Sequence, residues 1–165
     1  MGSLTMVSCT DVESLDINRP TAQEQNPEAY ANYLQNLRNY KNAEHKIVYA
    51  WFDNSTKVPA SPAHHMTNIP DSVDIVSLMY PEALADFEKS DIETMHNKGS
   101  KVVMHCFSGS VEFARECIKE GWYLALGGVV TFKNAVKMKE VAADIPLERL
   151  LLETDAPYLT PVPYR

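Results

Sequence analysis

Five short apolar runs, separated by stretches of helical period, set the pattern of this chain. They are Ile47–Phe52, Val73–Leu78, Lys101–Cys106, Tyr123–Leu126 and Leu150–Glu153. Runs of this length predict strands of a parallel sheet buried on both faces. The segments between them carry helix signals. Asn26-Pro27 opens one helix with proline at its first position, and Tyr30, Leu34, Leu37 and Tyr40 follow at helical spacing. Ser90-Asp-Ile-Glu93 has the form of a capping box and predicts a helix from Asp91 to Gly99, after a short helical turn over residues 83–88. Ser110 predicts the cap of a helix closed by Gly121, with Phe113, Cys117 and Ile118 on its buried face. A last helix is predicted over residues 134–143.

Strands alternating with helices imply a parallel sheet with right-handed crossovers. The expected class is α/β, as a partial (βα)8 (TIM-barrel-like) sheet of about five parallel strands with flanking helices, in sequence order. A flavodoxin-like order, 2-1-3-4-5, is the alternative. A complete barrel needs ~250 residues, so 165 residues hold a piece of one, read as a single α/β domain. Residues 1–26 are polar and without period, and read as a flexible arm. Residues 54–71 form a long Pro- and Ser-containing connection, expected to be functional or mobile. His64-His65 falls within it and is read as solvent-exposed rather than metal-binding. Gly127-Gly128 allows a tight turn or close backbone approach.

Composition narrows the function classes. Hydrophobic content of 45% and charged content of 22% are ordinary for a globular protein. No apolar run reaches the length of a membrane span, so no membrane partner is expected. A net charge of -7 argues against a dedicated nucleic-acid surface, which would need a basic face. Of the three cysteines, Cys106 and Cys117 read as small buried apolar residues. Leu4–Cys9 resembles the end of a lipoprotein signal with no charged and apolar segment before it, and Met1-Gly-Ser reads as an expression leader. Cytoplasmic recombinant expression is therefore expected. An open sheet with two unprotected edges predicts a homo-oligomer.

Candidate chemistry gathers at strand ends. His105 and Asp155 each close an apolar run, at the C-terminal edge where α/β folds place their sites. Glu153 shares the inward face with Asp155 by the period of two, and is expected to bond donors near the strand ends. Asp53 ends the first strand and reads chiefly as a turn opener before Asn54 and Ser55. Tyr49 and Trp51 share its face and, with Tyr80, read as core aromatics rather than a sugar platform.

Two stretches carry resemblances. MHCFSGSVEFARECIKEGWYLALGGVVTFKNA and IPLERLLLETDAPYLTPVPYR resemble the last part of the TatD family of metal-dependent deoxyribonucleases, over residues 103–165. That resemblance implies a (βα)8 barrel with His105 and Asp155 as metal ligands. The family's remaining ligands, a His-x-His pair, a glutamate and another histidine, lie on earlier strands and have no counterpart here. NPEAYANYLQNLRNYKNAEHKIVYAWFDN and IPDSVDIVSLMYPEALADFEKSDIETMHNKGSKVV resemble instead the N-terminal part of a glycoside hydrolase family 18-like protein, over about residues 9–103. That family's catalytic Asp-x-x-Asp-x-Asp-x-Glu motif is missing. The two resemblances meet inside the strand Lys101–Cys106 and imply a chimera of two barrel fragments, about residues 1–102 and 103–165.

The leading expectation is an engineered scaffold with no catalytic activity of its own and no catalytic residue. It requires no cofactor, and at most holds a divalent ion (Zn, Mn or Mg) weakly between His105 and Asp155. The alternative is a TatD-like metal-dependent deoxyribonuclease using His105 and Asp155, with Asp53 or Glu153 as further carboxylates.

Overall fold

The computed structural model describes residues 20–164. The flexible-arm reading of residues 1–19 and the reading of Cys9 lie outside the described residues. Two compact units divide the chain, residues 1–32 and 33–165. In the first, residues 20–26 are structured rather than a loose arm. Helix α1, Ala22–Gln25, is held by a capping box in which Glu24 N–H donates to the Thr21 hydroxyl and the Glu24 carboxylate accepts from Thr21 N–H at 2.7 Å. Helix α2, Pro27–Asn42, begins at the proline as its sequence predicts and crosses the unit boundary.

The second unit is built on one five-stranded parallel sheet: β1 Tyr49–Phe52, β2 Ile75–Leu78, β3 Lys101–Met104, β4 Tyr123–Leu126 and β5 Leu150–Leu152. Neighbours in sequence are neighbours in the sheet, which is the barrel-like order and excludes the flavodoxin-like one. The register carries Trp51 opposite Ser77, Ser77 opposite Val103, and Ala125 opposite Leu151. One face presents Phe52, Val76, Leu78, Val102, Met104, Leu124 and Leu126 to the helices. There they meet Ile92 and Met95 of α3 (Asp86–Asn97), Ala114 and Cys117 of α4 (Val111–Lys119), and Met138 and Val141 of α5 (Val136–Asp144). Each fully buried aliphatic side chain contributes about 1.5–3 kcal/mol, so this layer holds the unit together. The opposite face carries Trp51, Ser77, Val103, Ala125 and Leu151 and leads to the candidate site.

Local chemistry moves several boundaries. Helix α3 begins at Asp86, not Asp91, because Glu88 rather than Glu93 supplies the cap: its carboxylate accepts the Ala85 N–H at 2.6 Å. The same carboxylate is almost fully buried and receives Lys57 Nζ at 2.9 and 3.0 Å. Ser90 is therefore an interior helix residue. Helix α4 is capped as expected, with Phe113 N–H donating to Ser110 Oγ, and Gly121 follows it at a φ of 83°. The connection over residues 54–71 is organised by two turns of 3-10 helix, Pro62–His64 and Met66–Asn68. Met66 is fully buried, and its N–H donates to Asp91 Oδ2 at 3.0 Å. His64 and His65 are half-buried rather than solvent-exposed, with His65 Nδ1 3.1 Å from Asp91 Oδ2. Helices α3 and α4 flank a groove of about 1020 Å³ lined by Ile92, His96, Phe113 and Trp122.

Candidate metal centre

The site is made where β3 and β5 end on either side of β4. His105 N–H donates to the Leu78 carbonyl at 3.3 Å, extending the β2–β3 ladder one residue past Met104. The chain then turns abruptly: Cys106 takes a φ of 45°, a left-handed conformation that side chains other than glycine rarely adopt. Cys106 is thus a half-buried turn residue and not the buried strand cysteine expected, whereas Cys117 is buried as expected. Glu153 holds the turn, accepting the Cys106 N–H on Oε1 at 2.5 Å. Glu153 N–H in turn donates to the Leu126 carbonyl, so Glu153 continues the line of β5.

Asp155 is fixed by the segment behind it. A Cβ at Gly128 would collide with the Leu159 carbonyl oxygen and lie 2.8 Å from Pro161 N, so only glycine lets residues 159–161 lie against it. Val162 N–H donates to Thr131 Oγ1 at 2.9 Å and completes the attachment. The chain beyond β5 thus lies on the segment that follows β4.

These elements bring three side chains together. The imidazole of His105 sits between two carboxylates, with Nδ1 2.5 Å from Glu153 Oε2 and Nε2 3.2 Å from Asp155 Oδ1. One ligand atom from each of the three lies within 4.8 Å of the others. His105 and Asp155 are paired as the sequence predicts. Glu153 does bond strand-end donors as expected, and also faces the histidine. Asp53 stays outside the group: its carboxylate accepts the Ser55 N–H and opens a turn, and that bond together with the Ser55 hydroxyl holds its pKa below the usual carboxylate range.

The donor set fits a cation. Both ring nitrogens of His105 face carboxylate oxygens, and the gap between Nε2 and Asp155 Oδ1 is one a cation would bridge. Two ligands about 2.0–2.2 Å from one tetrahedral ion would lie about 3.3–3.6 Å apart, a little more than the 3.2 Å between Nε2 and Oδ1. Glu153 on Nδ1 is then the outer carboxylate that fixes ring orientation and raises ligand basicity. Among the described residues no lysine or arginine forms an ion pair with Glu153 or Asp155. The Cys106 thiol donates to Asp155 Oδ2 at 3.1 Å. Burial first, then this bond and the nearby carboxylates, push its pKa up to about 12, so the thiol keeps its proton.

Trp51 is the functional-site neighbour that sequence reasoning assigned to the core. It is 55% exposed, and its ring lies against His105. Tyr49 and Tyr80 are exposed as well, so none of the three aromatics is a core residue.

Two family models match the chain: glycoside hydrolase family 18, BT1044-like, over residues 10–119, and TatD related DNase over residues 81–165. The chain belongs to both families. Their matches overlap across residues 81–119, which contain β3, and the TatD match carries His105, Glu153 and Asp155. The chain is therefore a chimera of a glycoside hydrolase family 18 segment and a TatD segment. An uncharacterized metal-dependent hydrolase of Bacillus subtilis, YabD, is 64% identical over 63 residues, 38% of this chain and 25% of that protein. An uncharacterized metal-dependent hydrolase of Mycobacterium tuberculosis, TatD, is 42% identical over 88 residues, 53% of this chain and 33% of that protein. The chain thus spans a quarter to a third of these relatives. Among solved structures, apo endo-beta-N-acetylglucosaminidase from Cordyceps militaris is 15% identical, with a TM-score of 0.47 over 73% of this chain and 53% of that one.

The expectation of a scaffold with no catalytic activity is corrected by these relatives, which are named as metal-dependent hydrolases. That expectation counted two inherited ligands and treated Glu153 mainly as a strand-end acceptor. The fold brings Glu153 to the same ring, so the group has three members. The relatives also point to a divalent metal, against the expectation that no cofactor is required.

Proposed function

We propose that the chain is a divalent-metal-dependent hydrolase of the TatD type, acting on phosphodiesters at the ends of β3 and β5. The observation that carries this reading is the placement of His105 between Glu153 and Asp155 within one 4.8 Å cluster. In it, His105 Nε2 and Asp155 Oδ1 would hold the ion. Glu153 accepts from Nδ1, sets the tautomer that frees Nε2 for the metal, and through the Cys106 N–H ties the ring to the turn. The bound ion supplies Lewis-acid polarisation of a phosphoryl oxygen. Cys106 acts as a neutral donor that orients Asp155, since its thiol stays protonated.

The test is hydrolysis of bis(p-nitrophenyl) phosphate and of single-stranded DNA with Mg²⁺, Mn²⁺ or Zn²⁺, beside the double variant His105→Ala, Asp155→Ala. Metal-dependent turnover that falls at least a hundredfold in the double variant is expected. Equal rates in the two proteins, or no turnover with any ion, refute the reading.

A further inference from the structure

Trp51 belongs to the glycoside hydrolase family 18 match alone, yet it touches the centre carried by the TatD match. Its ring and that of His105 are 4.2 Å apart between centroids, at 62°. Register sets the approach: Trp51 lies opposite Ser77 and Ser77 opposite Val103, two residues before His105 on the same face. One part of the indole is spent on the imidazole, and 55% of the residue stays in solvent. Tyr49, two residues earlier on the same face, is 42% exposed. Beside the polar cluster this leaves an aromatic face on which a planar ring can stack.

We propose that Trp51 is a stacking subsite for the nucleobase of a phosphate ester held at His105 and Asp155. This rests on the phosphodiesterase reading and adds the part of the substrate that reading leaves open. Charge favours a short ligand. With a net charge of -7 the protein has little to attract a long run of phosphates. Affinity then has to come from one neutralised phosphate and one stacked ring, and stacking on an aromatic face needs no basic track. The polar groups beside Trp51 favour a base over a sugar. Asn54 is committed to both main-chain groups of Tyr80, at 2.9 and 2.8 Å, and Asp53 to the Ser55 N–H. The ligand class is a nucleoside monophosphate or the single-stranded end of a short oligonucleotide.

Fluorescence tests this directly, because Trp122, the second of the two tryptophans, is only 8% exposed. The full chain is titrated with AMP, ribose 5-phosphate and N-acetylglucosamine in the presence of Mg²⁺. Mg²⁺ binding is measured separately by calorimetry. Saturable quenching by AMP, absent with ribose 5-phosphate and lost in Trp51→Phe, is expected. Trp51→Ala weakens AMP binding, followed by calorimetry, by roughly tenfold or more, while Mg²⁺ affinity stays unchanged. Metal binding without AMP quenching overturns the stacking subsite and leaves the hydrolase reading standing. AMP quenching without metal binding keeps the subsite and overturns the metal centre. Quenching by N-acetylglucosamine equal to that by AMP overturns the assignment to a base.

Discussion

Trp51 and His105 are in ring contact although only the glycoside hydrolase family 18 match reaches back to Trp51 and both matches share His105. The contact is possible because β1, β2 and β3 keep one register across the overlap of the two matches, so side chains two strands apart still lean over the same strand end. The centre is thus assembled from residues whose sequence context lies in different families.

Glu153→Gln tests the orienting carboxylate. The amide keeps the size of the side chain but loses the charge that faces His105 Nδ1 at 2.5 Å. Metal affinity is expected to fall by about 10–100-fold, with the far-ultraviolet circular dichroism spectrum unchanged. Calorimetric titration with Zn²⁺ and Mn²⁺ checks it. Unchanged affinity would show that Glu153 only holds the turn.

Lys57→Met tests the buried cap of α3. The change leaves the Glu88 carboxylate, 1% exposed, with the Ala85 N–H as its remaining donor. Because the Lys57 side chain is itself 35% exposed, the loss should fall below that of a fully buried pair, on the order of 2 kcal/mol. Adding Glu88→Leu should recover part of it. Urea denaturation of the single and double variants supplies the comparison.

The pair His45 and Asp74 sets a pH window. His45 donates from Nδ1 to the Ala43 carbonyl at 2.7 Å and from Nε2 to Asp74 Oδ1 at 2.9 Å, and these bonds hold its pKa above the usual value. Burial pushes the Asp74 carboxyl up, but the Val48 N–H and His45 outweigh it and leave it low. A raised histidine contributes stability that is complete below about pH 6.5 and is lost as pH rises through the folded value. A depressed aspartate contributes stability present above about pH 4 and lost as pH falls through its folded value. The urea midpoint should therefore decline on both sides of about pH 4–6.5, and His45→Gln should flatten the alkaline side. An unaltered alkaline slope in that variant would refute the assignment.

Self-association is the expected outcome for a sheet whose edge strands β1 and β5 each have one strand partner among the described residues. Leu152 on the β5 edge is 84% exposed. Sedimentation should show a concentration-dependent dimer, and Leu152→Lys should shift it toward monomer. A wild-type monomer at every concentration contradicts this.

The strands were legible because each leaves an apolar run, and the five runs appear in the sheet in the order predicted, although only β2, β3 and β4 are buried on both faces while the edge strands β1 and β5 are partly exposed. Their ends were less so. Met104 ends β3 because Cys106 turns left-handed, and that turn depends on Glu153, 47 residues later in the chain. Periodicity carries no information on such a partner. The start of α3 was misplaced for the same reason, since Ser90-Asp-Ile-Glu93 and Glu88 compete as caps and Lys57 favours Glu88. The strand-end positions of His105 and Asp155 were legible from the apolar runs, and their reading as ligands came from the TatD resemblance. Trp51 could not, because an aromatic on a strand is buried or exposed according to what the facing side of the sheet carries.

The groove between α3 and α4 is flanked by helices that lie within the stretch both family matches cover. Strand pairing is written in main-chain hydrogen bonds, which are the same whatever side chains the strands bear, so β2 and β3 pair whichever family match their neighbours fall in. Helix against helix is a different kind of joint, since ridges of one must fill the furrows of the other. There about 1020 Å³ is left open beside Ile92 and Trp122. Grafts between barrels should therefore succeed at the sheet first, and their remaining faults should be sought, and filled with larger side chains, in the outer layer.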